Sequence, residues 1–163
     1  MIKQENAGGT VKERAKEKLR RDLGPLIERA LNDPKTVEIM LNADGKLWQE
    51  RLGETMRCIG SINDARAESI IKTVAGFHGK EITRFTPILE GELPLDGSRF
   101  AGQLPPVVSK PTFAIRKKAI SVFTLDDYVK SEIMTEAQCA VIKKAVIAHR
   151  NILVIGGTGS GKT

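Results

Sequence analysis

Residues 152–163 read ILVIGGTGSGKT. The last eight of them match the pattern G-x-x-x-x-G-K-[S/T] without a mismatch, and the four before them are apolar. A buried parallel strand that runs into a glycine-rich phosphate loop has this pattern. We therefore predict a nucleotide-binding loop formed by Gly156, Gly157, Thr158, Gly159, Ser160, Gly161, Lys162 and Thr163.

The residue types of this loop suit a bound phosphate. Successive backbone N–H groups must turn inward around the anion, and glycine permits the required dihedral angles and a close approach. The ammonium of Lys162 can reach the β- and γ-phosphates, and the hydroxyl of Thr163 can ligate Mg²⁺. The alternative is a chance match at an ordinary glycine turn, and the apolar run directly before the motif disfavours it.

The composition limits the possible classes of protein. At 163 residues the chain can hold one domain, or one domain and part of another. Apolar residues make up 40% of it, enough for a core, but aromatic residues make up only 4%, so aliphatic side chains must fill that core. The sequence has neither a run of apolar residues long enough to span a membrane nor a signal peptide. We therefore expect a soluble intracellular protein, with peripheral membrane attachment left open.

The net charge of +6 comes largely from two stretches. Residues 12–21 carry six basic and two acidic side chains, and residues 110–118 carry four basic ones and no acid. Basic surfaces suit phosphates, nucleic acids or anionic membranes. The acids interleaved in residues 12–21 favour a solvated helix face, and no aromatic residues accompany the basic ones. We therefore predict no stable binding of nucleic acid.

The cysteines and histidines give no sign of a metal site. Cys58 and Cys139 lie far apart, without a CxxC pair or a histidine at ligand spacing, so neither a zinc site nor a disulfide is predicted. Both are expected to be small buried side chains in a reducing compartment. His78 and His149 each fall near the end of a predicted helix, where we expect them to cap carbonyl groups.

The amino-terminal half predicts helices around a hairpin. Residues 11–31 have helical periodicity that Gly24-Pro25 interrupts, so we expect two helical segments with a break between them. Residues 37–42 and 46–51 flank the turn Ala43-Asp44-Gly45 as in a β-hairpin, and residues 55–59 are a candidate third strand. A capping box at Ser61-Ile62-Asn63-Asp64 predicts a helix to about His78.

The remaining chain predicts strands followed by helices. Residues 82–118 indicate strands that Pro87, Pro94, Pro105 and Pro106 confine to edges or ends. Capping motifs at residues 124–127 and 135–138 predict a short helix to about Ser131 and a longer one through about His149. The apolar face of the longer helix would comprise Ala137, Val141, Ala145 and Ala148. A domain boundary is placed between Lys118 and Thr135.

Two arginines stand out within the strand region. Arg99 follows the turn signal Asp96-Gly97 at a predicted strand start, and Arg116 lies among alternating apolar residues near a predicted strand end. Taken alone, each is expected on the surface, without a role in binding.

With these residues placed, the sequence resembles the traffic ATPases of type IV secretion and conjugation. The resemblance covers residues from about 20 to the end and rests on an ordered series of motifs. The series is VEIMLN at 37–42, LWQE at 47–50, LDGSRF at 95–100, LPP at 104–106, FAIRK at 113–117 and residues 151–163. The final motif alone indicates a P-loop NTPase, and the upstream series narrows the resemblance to this family.

The resemblance implies an α/β protein with two parts. An α+β domain similar to a PAS fold would occupy residues 11–118 after a flexible segment at 1–10. A linker at 119–134 would join it to the start of a RecA-like ATPase domain at 135–163. ATP and Mg²⁺ are the implied cofactors, with nucleotide bound between the two domains and Arg99 and Arg116 reaching its phosphates.

The resemblance also implies a homo-hexamer at the cytoplasmic face of the inner membrane, together with other components of the secretion system. In the family, an acidic strand for Mg²⁺ and a catalytic acid follow the phosphate loop, and would lie beyond Thr163. The 163 residues alone are therefore not expected to hydrolyse ATP.

Three functions compete at this point. The first is an ATPase subunit that drives pilus assembly or substrate transport, with Lys162 as the catalytic cation and arginines stabilising the transition state. The second is a binding and assembly module in residues 1–134 without chemistry of its own. The third is a small-molecule P-loop kinase, which is disfavoured because such kinases usually carry the loop near the start of the domain.

Overall fold

The computed structural model describes residues 10–118 and 123–156. The chain divides into two compact units, Met1–Ile120 and Ser121–Thr163. In its described residues the first unit combines two helices with an antiparallel sheet of six strands, and the second has two helices. The predicted mixed helix-and-sheet class is confirmed. The segment predicted to be flexible at the amino terminus lies, except for Thr10, outside the described residues.

Helix α1 (Val11–Asn32) contains the predicted break. Gly24 has φ 61° and ψ 178° inside the helix, and Pro25 follows it. Only glycine adopts that backbone region readily, and proline removes an N–H that a continuous helix would need. The guanidinium of Arg66 donates a hydrogen bond to the carbonyl of Asp22, two residues before Gly24. The break is therefore closed by a side chain from the next helix.

A hairpin and a third strand follow α1. Strand β1 (Thr36–Leu41) pairs antiparallel with β2 (Lys46–Arg51), as predicted from the intervening turn. Gly45 has φ 78°, and its N–H donates to the carbonyl of Asn42, which tightens the turn. Strand β3 (Arg57–Ser61) pairs with β2 and lies two residues later than predicted.

Helix α2 (Asp64–Phe77) begins at a different cap from the one predicted. The side chain of Asn63 accepts a hydrogen bond of 2.9 Å from the N–H of Arg66. Ser61, the predicted capping residue, is instead paired in β3 and lies three residues before the first residue of the helix, too early to be its N-cap. The predicted apolar stripe is confirmed, since all its members are buried: Ala67, Ile70, Ile71, Val74 and Ala75.

Three strands complete the sheet: β4 (Ile88–Glu92), β5 (Arg99–Gln103) and β6 (Thr112–Arg116). The strand order is β3-β2-β1-β6-β5-β4, and every neighbouring pair is antiparallel. Strand β6 therefore lies between β1 and β5, although it comes last in the sequence. The four prolines predicted at strand edges or ends all lie outside these strands: Pro87, Pro94, Pro105 and Pro106.

The hydrophobic core lies between one face of the sheet and the two helices. Its aromatic residues, Phe100 and Phe113, stack with ring centroids 5.8 Å apart. The alternate residues of the strands point to the opposite face, which we call the outer face, and they are exposed or half-buried. The core side chains that are fully buried include Leu19, Leu23, Ile27, Ile39, Leu47, Ile70, Ile71, Leu93 and Ile115.

A polar network joins α1 to α2 beside this core. The ammonium of Lys18 donates to Asp22 at 2.5 Å, to Ser69 at 2.6 Å and to Thr73 at 2.8 Å. Burial raises the pKa of Asp22, but hydrogen bonds from Lys18 and Ser69 outweigh it and hold that pKa below its ordinary value. The carboxylate of Asp22 is therefore stabilised in its charged form.

The second unit contains α3 (Leu125–Lys130) and α4 (Glu136–Ile147), and both predicted N-caps are confirmed. Thr124 and Thr135 each accept a hydrogen bond from the third residue of their helix and complete a capping box with it. The predicted apolar face of α4 is not buried in the described residues: Val141 is 66% exposed, whereas Cys139 is buried. A helix face is buried only where another element covers it, and periodicity alone does not supply that element.

Cys58 corrects a further expectation. It is exposed, whereas Cys139 is buried as predicted. Cys58 lies on the edge strand β3 opposite Trp48, on the outer face, which explains its exposure. Of the helices that the structure describes, none has both the length and the apolar sequence required to cross a bilayer.

Candidate functional site: a cross-strand arginine pair and a glycine-rich loop

The predicted phosphate loop is described only at its first residue. Gly156 is exposed and has no regular secondary structure. The other predicted loop residues lie outside the described part of the chain, so their roles stay predictions: Gly157, Thr158, Gly159, Ser160, Gly161, Lys162 and Thr163.

The strand predicted before the loop is not formed. Residues 151–156 have no regular secondary structure, and the side chains of Leu153 and Ile155 are 82% and 84% exposed. A strand must exchange backbone hydrogen bonds with a neighbouring strand, and among the described residues no strand pairs with this segment. The apolar sequence is therefore compatible with a buried strand but does not form one by itself.

The second unit carries an open cavity of about 490 Å³ beside the start of α4. Its lining is mostly aliphatic, with one uncharged polar side chain and no charged group. Such a lining offers nothing that would recognise a phosphate. The residues that line it are Ile133, Met134, Ala137, Gln138, Val141 and Ile142.

The sheet brings the two predicted arginines together. Arg99 is the first residue of β5, directly after the turn at Asp96-Gly97, in which Gly97 has φ 72°. Arg116 is the last residue of β6. Because these strands are antiparallel, the start of one meets the end of the other, and Arg99 and Arg116 are direct cross-strand partners. Both side chains are exposed on the outer face, and we call them the arginine pair.

The arginine pair differs from the basic residues around it, because those residues have partners. Lys110 forms an ion pair of 3.3 Å with Asp64. Lys118 forms one of 3.1 Å with Glu92. Within residues 10–118 and 123–156, by contrast, neither guanidinium of the arginine pair makes a hydrogen bond or an ion pair.

Lys117, beside Arg116 in the sequence, has a purely structural contact. Its ammonium donates to the carbonyls of Leu31 at 2.5 Å and Asp33 at 3.2 Å, at the end of α1. The last carbonyls of a helix lack intrahelical partners and carry partial negative charge, so a cation stabilises them. The basic stretch 110–118 therefore divides into structural cations and one free guanidinium, that of Arg116.

Acidic residues extend the arginine pair into a row across five strands. In β1, Glu38 lies opposite Arg116, and in β2, Glu50 lies opposite Glu38. In β4, Glu92 lies opposite Arg99. The row therefore reads Glu50, Glu38, Arg116, Arg99 and Glu92 along the outer face, and we call it the charge row. Two like charges stand directly opposite each other at its centre, an arrangement that is destabilising unless an anion or a neighbouring acid offsets it.

The half-buried Glu38 is the acid that interacts electrostatically with the pair. Burial raises the pKa of Glu38 above its ordinary value, the charge of Arg116 opposes that rise, and the charge of Glu50 adds to it. No ion pair joins Glu38 to Arg116. The two charges therefore interact by longer-range electrostatic attraction rather than through a direct contact.

The exposed arginine pair is chemically suited to binding an anion such as phosphate. Guanidinium groups bind phosphate oxygens through two parallel hydrogen bonds, and an exposed pair without other partners is ready to do so. For Mg²⁺, the ligand predicted from sequence is the hydroxyl of Thr163, outside the described residues. In the part of the chain that the structure describes, no group of three His, Cys, Asp or Glu side chains could hold a metal ion.

Sequence reasoning found the arginines but missed the acids beside them. The hairpin turn could have revealed part of the row, because pairing Leu41 with Leu47 across it also sets Glu38 opposite Glu50. The pairing of β1 with β6 had no such local signal.

Comparison with known proteins places the chain among relatives. No family model matches it. A protein of Sinorhizobium fredii described as "Probable conjugal transfer protein TrbB" is 51% identical over 146 residues, which cover 90% of this chain and 45% of that protein. The conjugal transfer protein TrbB of Rhizobium radiobacter is 49% identical over the same shares. The type IV secretion system protein VirB11 of Brucella suis is 27% identical over 82% of this chain and 44% of its own length.

A solved structure shares the fold. The crystal structure of the VirB11 ATPase from the Brucella suis type IV secretion system, in complex with sulphate, superposes with a TM-score of 0.64 at 21% identity. The match covers 85% of this chain and 45% of that one, so the chain spans less than half the length of these relatives. In sequence the chain is similar to the conjugal transfer proteins named TrbB and, more distantly, to the VirB11 proteins of type IV secretion, and it shares its fold with the solved VirB11 structure.

Proposed function

We propose that this chain binds ATP as part of a motor ATPase of conjugal transfer, and that the complete gene product hydrolyses ATP to drive pilus assembly or substrate transport. The observation that carries the proposal is the arginine pair, two neighbouring guanidinium groups without partners in the described residues. The glycine-rich motif at residues 156–163 supports it, and so do the names of the relatives.

Each element contributes a different interaction with the triphosphate. The amides of Gly157, Gly159 and Gly161 would surround phosphate oxygens, and the ammonium of Lys162 would neutralise the β- and γ-phosphates. Mg²⁺, with Thr163 as a ligand, supplies charge neutralisation of the phosphate oxygens when bound.

The arginine pair would stabilise the negative charge that develops on the transferred phosphoryl group. Guanidinium groups placed beside the transferred phosphoryl group would interact more strongly with it as its negative charge increases, which would lower the barrier to hydrolysis. Arg99 and Arg116 begin and end their strands, so the sheet fixes both backbones while leaving the side chains free for an anion. We further propose that the complete protein acts as a homo-hexamer, peripheral to the cytoplasmic face of the inner membrane and in contact with other secretion components.

The proposal is tested on the complete gene product by titration with Mg-ATP and by measurement of phosphate release. We expect Lys162→Ala to abolish both binding and hydrolysis, since the loop then lacks its cation. The control is Lys144→Ala, which removes an exposed lysine of α4 and should change neither. Turnover of Lys162→Ala equal to that of the unsubstituted protein would contradict the proposal.

A second measurement concerns the arginines. Arg99→Gln and Arg116→Gln should each lower the rate of hydrolysis more than they lower ATP affinity, if the guanidinium groups act mainly in the transition state. Equal hydrolysis rates in both variants and the unsubstituted protein would remove the arginine pair from the mechanism.

The two alternative functions, a small-molecule kinase and an assembly module without chemistry, have less support. The names of the relatives give a small-molecule kinase no support. A module that only assembles would not need two guanidinium groups free of partners on one face of the sheet.

A further inference from the structure

We propose that Glu38 lowers the phosphate affinity of the arginine pair by repelling the incoming anion electrostatically. This inference rests on the proposed function, because it assumes that the pair binds phosphate. It assigns a role to a carboxylate that neither the motif pattern nor the names of the relatives single out.

The geometry separates Glu38 from the other acids of the charge row. Glu92, at the far end, already forms an ion pair of 3.1 Å with Lys118. Glu50 lies one strand further from the arginines than Glu38 does. Glu38 is thus the one acid of the row that is both directly opposite an arginine and without an ion pair in the described residues.

Because Glu38 makes no hydrogen bond to Arg116 in the described residues, loss of its charge should strengthen rather than weaken phosphate binding. A carboxylate that oriented Arg116 would hold it through hydrogen bonds, and its loss would weaken phosphate binding. No such bond exists between Glu38 and Arg116 in the described structure, although their charges interact. Glu38 therefore repels an incoming phosphate without positioning the group that binds it. Its removal should strengthen binding.

The effect of each acid on phosphate affinity should also decrease with its distance from the arginine pair along the charge row. The Coulomb energy between charges falls with distance and is screened by salt, so an acid on the neighbouring strand should matter more than one on the next. We expect Glu38→Gln to lower the Kd for phosphate about threefold at low ionic strength, an effect of this size being typical for one charge near a partly exposed site. Glu50→Gln should lower it less.

The probe is inorganic pyrophosphate, titrated calorimetrically into the 163-residue chain at low and at high salt. The matched control is Glu68→Gln. It removes a carboxylate of α2 that forms an ion pair with Lys72, and α2 packs on the face of the sheet opposite the charge row. We expect the order of affinity Glu38→Gln, then Glu50→Gln, then Glu68→Gln equal to the unsubstituted chain, with the differences shrinking at high salt.

Two results would overturn the inference while leaving the proposed function intact. Weaker binding by Glu38→Gln would show that the carboxylate orients Arg116, and unchanged binding would show that its charge is not felt at the site. Binding that is absent in the unsubstituted chain, or that survives Arg116→Gln undiminished, would instead overturn the phosphate role of the arginine pair and the inference together. Circular dichroism of each variant checks that its fold is unchanged.

Discussion

Arg116 and Lys117 are adjacent, equally charged residues to which the structure gives different tasks, and exchanging each for glutamine should separate those tasks. Lys117→Gln removes the ammonium that bonds the carbonyls of Leu31 and Asp33 at the end of α1. Hydrogen bonds from a charged donor contribute about 1.5–3 kcal/mol, so we expect the free energy of unfolding to fall by about 2 kcal/mol. Pyrophosphate binding should not change.

Arg116→Gln should have the opposite profile. The side chain is exposed, and the repulsion from Arg99 offsets the attraction to Glu38, so the free energy of unfolding should stay within about 0.5 kcal/mol of the original. Pyrophosphate binding should weaken about tenfold or more, because a charge-assisted hydrogen bond to an anion is lost.

The assay for both variants combines urea denaturation, followed by circular dichroism, with calorimetric titration of pyrophosphate. Both substitutions remove one positive charge, so any effect of net charge alone is the same in the two. If both variants lost stability and affinity to similar extents, the two residues would be acting merely as general positive charge, and the assignment of separate tasks would be wrong.

Three further outcomes are expected. Gly24→Ala should lower the free energy of unfolding by about 3 kcal/mol, because a methyl group at φ 61° would lie 1.9 Å from the guanidinium of Arg66. The control Gly79→Ala, at φ 65° with open space around it, should lower it by only about 1 kcal/mol. Urea denaturation compares the two variants, and equal losses of stability would contradict the role of the break. Cys58 should react with a maleimide in the folded chain and Cys139 only after denaturation; mass spectrometry of the labelled peptides checks this. Asp22, whose pKa is lowered in the folded state, should stabilise the fold above the pKa of the unfolded chain and lose that contribution as pH falls, so Asp22→Asn should be destabilising at about pH 7 and nearly neutral at about pH 2 in urea titrations.

Local signals in the sequence predicted the local structure well. The turn around Gly45 fixed the hairpin, the apolar stripe fixed the buried face of α2, and Gly24-Pro25 marked the break in α1. Each of these depends on residues close together in the chain. The N-cap of α2 was predicted at Ser61 but is Asn63, because β3 ends two residues later than its sequence pattern indicates and includes Ser61.

The candidate site depends on pairings that the sequence does not encode locally. That Arg99 begins a strand and Arg116 ends one could be predicted, but their meeting requires the antiparallel register of β5 and β6. The neighbouring acid Glu38 requires the pairing of β1 with β6 as well. A single sequence does not indicate which distant strands will pair, and the charge row exists only because β6 pairs with both β1 and β5.

The position of β6 has a consequence for biosynthesis. The strand that sits in the middle of the sheet is the last of the six to leave the ribosome, so the hairpins made earlier must wait for it before the sheet can become continuous. Until Thr112–Arg116 is inserted, the edges of β1 and β5 stay open and Arg116 has no place beside Arg99. An incompletely folded nascent chain therefore cannot hold the two arginines side by side, so the anion binding proposed for them would require the complete six-stranded sheet.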